Sequence, residues 1–122
     1  MNLKLSKHKH LWLIDLDGTI LKHNGYKLDG YDTLLPNAKT FLESIKDDDI
    51  IFLTARSEEY KIITEKFLED NRIKYRQVLF DCPLGERILI NDEKPKGLKT
   101  AIAVSVIRDS IPPIIVELDE DL

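Results

Sequence analysis

The stretch Leu11–Ile20, LWLIDLDGTI, runs apolar through Ile14 and then meets two carboxylates, Asp15 and Asp17, followed by Gly18 and Thr19. Four apolar residues bounded by charge read as a buried strand, although so short a run does not by itself exclude a helix. Side chains two apart on an extended segment share a side, so such a strand delivers a pair of negative charges to one place as it leaves the core.

The pattern recurs along the chain. IIFLTAR gives a strand over Ile50–Leu53 that ends in Thr54, and RILIND gives one over Arg87–Ile90 that ends in Asn91 and Asp92. QVLF supplies a short strand between them, and TAIAVSVI a further one over Ala101–Val106. Helical spacing fills the gaps. Ala38, Phe41, Leu42 and Ile45 follow Pro36 at the intervals of an amphipathic helix. Tyr60, Ile63, Phe67 and Leu68 mark a second helix, with Glu58 and Glu59 in its first turn, where the dipole favours them. Asp47, Asp48 and Asp49 read as a solvated turn. Asn24-Gly25 is a type I′ turn signal and predicts a hairpin over about Ile20–Asp29, within a small flap over about residues 20–35. Pro112 and Pro113 exclude a helix across them, and residues from about 107 to 122 read as an acidic tail.

Apolar strands separated by helices indicate a parallel sheet covered on both faces. The expected fold class is therefore α/β: a three-layer Rossmann-like sandwich of about five mainly parallel strands, with helices on both faces and a hairpin flap. At 122 residues the chain is one domain, residues 1–122. Ligands gather at the carboxyl ends of such strands, which is where Asp15, Asp17, Thr54, Asn91 and Asp92 fall.

Composition narrows the functional classes. Apolar residues make up 43% and charged residues 33%, a balance without bias toward disorder. The net charge of −4 argues against non-specific nucleic-acid binding. Cys82 is the only cysteine, so no intrachain disulfide or cysteine-rich metal cluster is expected. Basic MNLKLSKHKH is followed by too few apolar residues for a signal-peptide core, and no run is long enough to span a bilayer. The expectation is a cytoplasmic protein with no membrane partner.

Several carboxylates from neighbouring strand ends repel one another unless a cation compensates them. Oxygen-only donors favour Mg²⁺, held through one or two carboxylates plus substrate phosphate. Gly18 lets a phosphate approach the backbone, and Thr19 and Thr54 offer hydroxyl donors. For any one of these residues alone, a loop or helix cap is the plainer account. It is their convergence that points to a site.

In chain order, DLDGT after an apolar strand, FLTAR ending its strand on a threonine, and ILINDEKP with its carboxylate resemble the first, second and fourth motifs of the haloacid dehalogenase superfamily of phosphohydrolases. GERILINDEKPKGLKTAIAV is similar to small members associated with bacterial surface-polysaccharide or sugar biosynthesis. The resemblance implies that Asp15 is the nucleophile that forms an aspartyl-phosphate. It implies that Asp17 protonates the leaving oxygen and then takes a proton from water. Gly18, Thr19, Thr54, Ala55 and Arg56 would surround the phosphoryl group. Asp92 would join Asp15 and Asp17, the latter through its carbonyl, around Mg²⁺, with Asn91 or Glu93 in the outer shell. The implied substrate is a small phosphomonoester of the sugar phosphate class.

The chain departs from the family at the third motif. VLFDCPLGERILIND holds no lysine, which leaves Arg87, Lys94 or Lys96 to supply the missing cation, each with surface charge as its plainer account. Neither gap between motifs has room for a cap domain, so the implied site is open, and a homo-oligomeric partner would be one way to cover it. Tyr26 and Tyr31 either line its entrance or pack on the sheet. His8, His10 and His23 read as solvated imidazoles, and Cys82 as a small packed side chain.

Three other readings meet the same residues. A response-regulator receiver domain would want its aspartate on a middle strand and its threonine later than Thr54. A phosphomutase would want a cap. A non-catalytic module that binds a phosphorylated ligand on the same fold is separated from a phosphatase only by turnover.

Overall fold

The computed structural model describes residues 1–122. Five parallel strands form, but they divide between two open sheets instead of joining one. β2 (Leu11–Asp15), β3 (Asp49–Leu53) and β4 (Gln77–Leu79) make a three-stranded sheet in chain order, with Leu11 opposite Asp49, Asp15 opposite Leu53 and Leu53 opposite Leu79. β1 (Asn2–Ser6) pairs with β5 (Ile115–Asp119), Asn2 opposite Ile115 and Ser6 opposite Asp119. The fold is thus α/β with parallel pairing, carrying few helices: α1 (Gly25–Leu28), α2 (Ala38–Ser44) and α3 (Lys61–Asp70). No helix is long and apolar enough to cross a membrane.

The core follows the apolar periodicity over the first two-thirds of the chain. Ile14, Leu16, Ile20, Leu21, Ala38, Phe41, Leu42, Ile45, Ile50, Phe52 and Leu68 are buried in one cluster, which Ile111 joins from the C-terminal part. Trp12 meets Phe41 edge-on with ring centroids 5.5 Å apart, fixing α2 on β2. On α3 the inward residues are Thr64 and Leu68, one turn apart, while Ile63 is half-exposed. The inward face of α3 is therefore turned from the one expected, because Thr64 is drawn in by the polar partner described below.

Four expectations need correction. The predicted hairpin is absent: Asn24 takes a left-handed conformation (φ 54°), as its turn signal requires, but the chain then coils into the single turn α1. Arg87–Ile90 and Ala101–Val106 form no strand, and Ile88, Ile90 and Ile102 are exposed. Their apolar sequences meet the compositional condition for a strand, but a strand also needs a free edge in register, and neither segment takes one. The acidic end is no tail, since it contains β5. Finally, Asp48 does not sit in a solvated turn: its carboxylate accepts from Trp12 Nε1 at 2.9 Å, His10 N at 3.1 Å and His10 Nδ1 at 3.2 Å. His10 is correspondingly held, its Nε2 lying 3.0 Å from Ser6 O.

Candidate active site

β2 and β3 end side by side. Leu16 N donates to Leu53 O at 2.9 Å, carrying the ladder one step beyond β2, and Thr54 N donates to Leu79 O at 3.0 Å. The two strands therefore release their chains at the same level, and Asp15, Asp17, Thr54, Ala55 and Arg56 meet there. The backbone N–H groups of Asp17 and Ala55, just past the ends of these neighbouring strands, have no hydrogen-bond partner in the chain. Such paired free donors suit an oxyanion.

Asp15 is half-buried, and Thr19 Oγ1 donates to its Oδ2 at 3.1 Å, leaving Oδ1 free. Burial pushes its carboxyl above the ordinary carboxylate range; the Thr19 bond pulls back, the Asp17 charge pushes further, and the charges of Arg87 and His23 pull back. Arg87 is thus the one third-motif candidate whose charge reaches Asp15. Its Nη1 donates to Pro83 O and Gly85 O at 2.5 and 3.0 Å, and the side chain stays in an exposed loop. Lys94 and Lys96 are exposed and make no ion pair.

Asp17 is held by more donors than the sequence reading foresaw. Thr54 Oγ1 donates to its Oδ2 at 2.8 Å, and Arg56 donates from Nε at 3.1 Å and from Nη2 at 2.8 Å to its Oδ1. The other side of the guanidinium grips Asp32, Nη2 to Oδ1 at 2.6 Å and Nη1 to Oδ2 at 3.0 Å, and Nη1 also donates to Thr64 Oγ1 at 2.9 Å. All five N–H donors of Arg56 are therefore used inside the chain. Its side chain is 1% exposed and that of Asp32 is 3% exposed. Burial works against the guanidinium charge, but the hydrogen bonds and charges of Asp32 and Asp17 outweigh it and hold Arg56 above its ordinary value. Tyr26 lays its ring over the guanidinium at 3.8 Å and meets Tyr60 edge-on.

Two expected phosphate ligands are thereby reassigned. Arg56 has no donor left for a phosphate, and the Thr54 hydroxyl gives its proton to Asp17 while accepting from Arg56 N at 3.1 Å. Gly18 N is likewise engaged, donating to Leu21 O at 2.7 Å. Gly18 is nevertheless needed as glycine: at φ +88° a Cβ would lie 3.2 Å from Arg108 Cγ. Tyr31 is exposed and Tyr26 packs, so neither open alternative holds for both.

Asp92 sits in the irregular exposed stretch, where its carbonyl accepts from Thr100 Oγ1; Asn91 also bonds Thr100, and Glu93 pairs with Lys99. No three His, Cys, Asp or Glu side chains gather as a cation site, so Asp92 is not grouped with Asp15 and Asp17. The residues present offer hard oxygen donors of another kind: the free Oδ1 of Asp15 and the carbonyl of Asp17, which accepts no hydrogen bond. One carboxylate, one carbonyl and water form a set that Mg²⁺ accepts.

Sequence reasoning missed Asp32, Thr64, His23 and Asp109. His23 is only partly exposed: its Nδ1 is buried without a partner and lies 3.7 Å from where a Gly18 Cβ would stand. Asp109 N donates to Gly18 O at 2.8 Å, and Asp109 Oδ1 accepts from His23 N at 2.8 Å. The segment read as a tail is thus part of the wall behind the Asp15–Gly18 loop. The one signal that could have found any of these was Arg56, a cation placed directly after a buried strand end, where it requires a counter-charge. No family model, curated protein or solved structure matches the chain.

Proposed function

We propose that the chain is a Mg²⁺-dependent phosphatase of the haloacid dehalogenase type, hydrolysing a phosphomonoester of the sugar phosphate class through an aspartyl-phosphate on Asp15. The observation that carries this reading is the meeting of Asp15, Asp17 and the free amides of Asp17 and Ala55 at the ends of two adjacent parallel strands. The parallel pairing of β2 with β3 and of β3 with β4 supports this reading, because it sets the ends of the first two strands next to each other.

In the first step Asp15 attacks phosphorus through Oδ2, the oxygen not assigned to the ion, while the bond to the leaving oxygen breaks, and the Asp17 carboxyl supplies a proton to that oxygen. The two free amides receive the oxygens on which charge concentrates. Asp15 Oδ1 and the Asp17 carbonyl would hold Mg²⁺. When bound, the ion offsets the repulsion between a carboxylate and an approaching phosphate.

A second reading, a module that binds a phosphorylated ligand without turning it over, draws support from the third motif. No lysine stands beside Asp15, and the hydroxyl of Thr54 is committed to Asp17. Phosphate release from a broad panel of phosphorylated metabolites, with and without Mg²⁺, separates the two. The phosphatase reading expects metal-dependent release that Asp15→Asn abolishes. Mg²⁺ binding without Asp15-dependent release from any compound would overturn it in favour of the binding module.

A further inference from the structure

We propose that Asp109 is a positioning residue for Asp15: from the C-terminal part of the chain it clamps the Gly18–Thr19 peptide, and through the Thr19 hydroxyl it sets how the Asp15 carboxylate is turned. This rests on the phosphatase reading above.

Asp109 grips the loop after β2 at two places. Its backbone N–H donates to Gly18 O at 2.8 Å, and its Oδ1 accepts from His23 N at 2.8 Å. The first bond holds the carbonyl of the Gly18–Thr19 peptide, whose N–H makes only a long bond, 3.3 Å to Leu16 O. The carbonyl side therefore decides how firmly this peptide is fixed. Thr19 follows directly, and its Oγ1 donates to Asp15 Oδ2 at 3.1 Å. Gly18, at φ +88° and without a Cβ, supplies little restraint of its own, so the loop needs a hold from outside.

The hold comes from a backbone shape that few residues take. Asp109 lies at φ +61°, in the left-handed region that aspartate tolerates better than most side chains, within a turn that Ser110 N closes on Ile107 O at 3.0 Å. The turn is exposed but mounted on the core. Ile111, two residues on, is buried, and its carbonyl accepts from Asn37 Nδ2 at 3.2 Å. The N–H that meets Gly18 O is thus presented from a fixed base.

Steady-state kinetics with p-nitrophenyl phosphate and Mg²⁺ tests this on the wild type, Asp109→Asn, Asp109→Gly and Asp109→Ala. Asparagine keeps both the left-handed backbone and an Oδ1 acceptor, glycine keeps the backbone alone, and alanine favours neither. The expected result for Asp109→Ala is kcat lower by about 10-fold with KM unchanged, a part of the roughly 100-fold that a misplacement of about 1 Å costs. Asp109→Gly should fall between it and the wild type, and Asp109→Asn should recover most of the loss. Urea midpoints should show all four proteins folded under the assay conditions, since Asp109 is exposed. A raised KM with unchanged kcat would put the turn against the substrate and overturn the inference. Equal losses in Asp109→Asn and Asp109→Ala would make the charge the cause, and a wild-type kcat in Asp109→Ala would leave nothing to explain; either overturns it.

A wild-type protein that releases nothing would sink the phosphatase reading instead, and the clamp is then judged by hydrogen exchange of the Gly18 and Thr19 amides in ¹⁵N NMR. Faster exchange at both in Asp109→Ala, with β2 and β3 unchanged, supports it. Exchange at the wild-type rate overturns it.

Discussion

Each end of the β2–β3 pair carries an aspartate that accepts several hydrogen bonds, and the two are held by different chemistry. At the entry end, Asp48 is bonded by an indole, a backbone amide and an imidazole, and its side chain keeps 20% of its exposure. At the exit end, Asp17 is bonded by a fully buried guanidinium that itself requires Asp32. Uncharged indole and amide donors that partly face water can lose a partner and recover much of the loss from solvent. A buried cation shared by two carboxylates cannot. One end is a staple and the other an interlock, and only the interlock lies where the chemistry is proposed.

The sharpest way to break this comparison is Arg56→Ala. It strands Asp32, 3% exposed, without its counter-charge, and urea unfolding should show a loss of about 3–5 kcal/mol. A loss no larger than that of Asp48→Ala would erase the distinction.

Asp48→Ala itself should cost about 1–3 kcal/mol by leaving Trp12 Nε1 and His10 N without their acceptor. The cost is also pH-dependent. Burial raises the Asp48 pKa, but the bonds from Trp12 and His10 outweigh it and hold the carboxyl below its ordinary range. A folded-state value below the unfolded one means stability that is fully present above the unfolded value, about 4, and is lost as pH falls through the folded one. Urea midpoints of the wild type and Asp48→Asn should therefore differ by a constant amount from pH 7 to about 5 and converge below about 4.

The smallest effect is the one with the opposite sign. Burial holds the Asp15 carboxyl above its ordinary range, so its ionised form favours the unfolded chain once pH exceeds the unfolded value. Asp15→Asn should raise the melting temperature slightly at pH 7 while removing the proposed nucleophile, the usual conflict between stability and a working site. A clear drop in melting temperature would place Asp15 with Asp48 as a staple.

What could be read from the sequence divides along the same line. β2, β3 and α3 were legible because LWLI, IIFL and the α3 periodicity are local patterns, and Asp15, Asp17 and Thr54 were legible because they interrupt them. Asp32 was not. It lies 24 residues from Arg56, and nothing in its neighbours distinguishes it from a surface aspartate. β1 and β5 were missed for the same reason, since NLKLS has only two leucines and its partner stands behind Pro112 and Pro113. RILI and TAIAVSVI erred in the other direction: apolar content was read as pairing, and pairing depends on an edge that composition does not report.

The register of β1 against β5 bears on the order in which parts of this fold can close during synthesis. β2, β3 and β4 need nothing beyond Leu79, so their sheet can close while the rest of the chain is still being made. β1 is made before that sheet yet has no partner until Ile115–Asp119 arrive, and the Asp109 contacts behind Gly18 wait almost as long. Until Asp109 has been made, the Asp15 loop exists without its back wall.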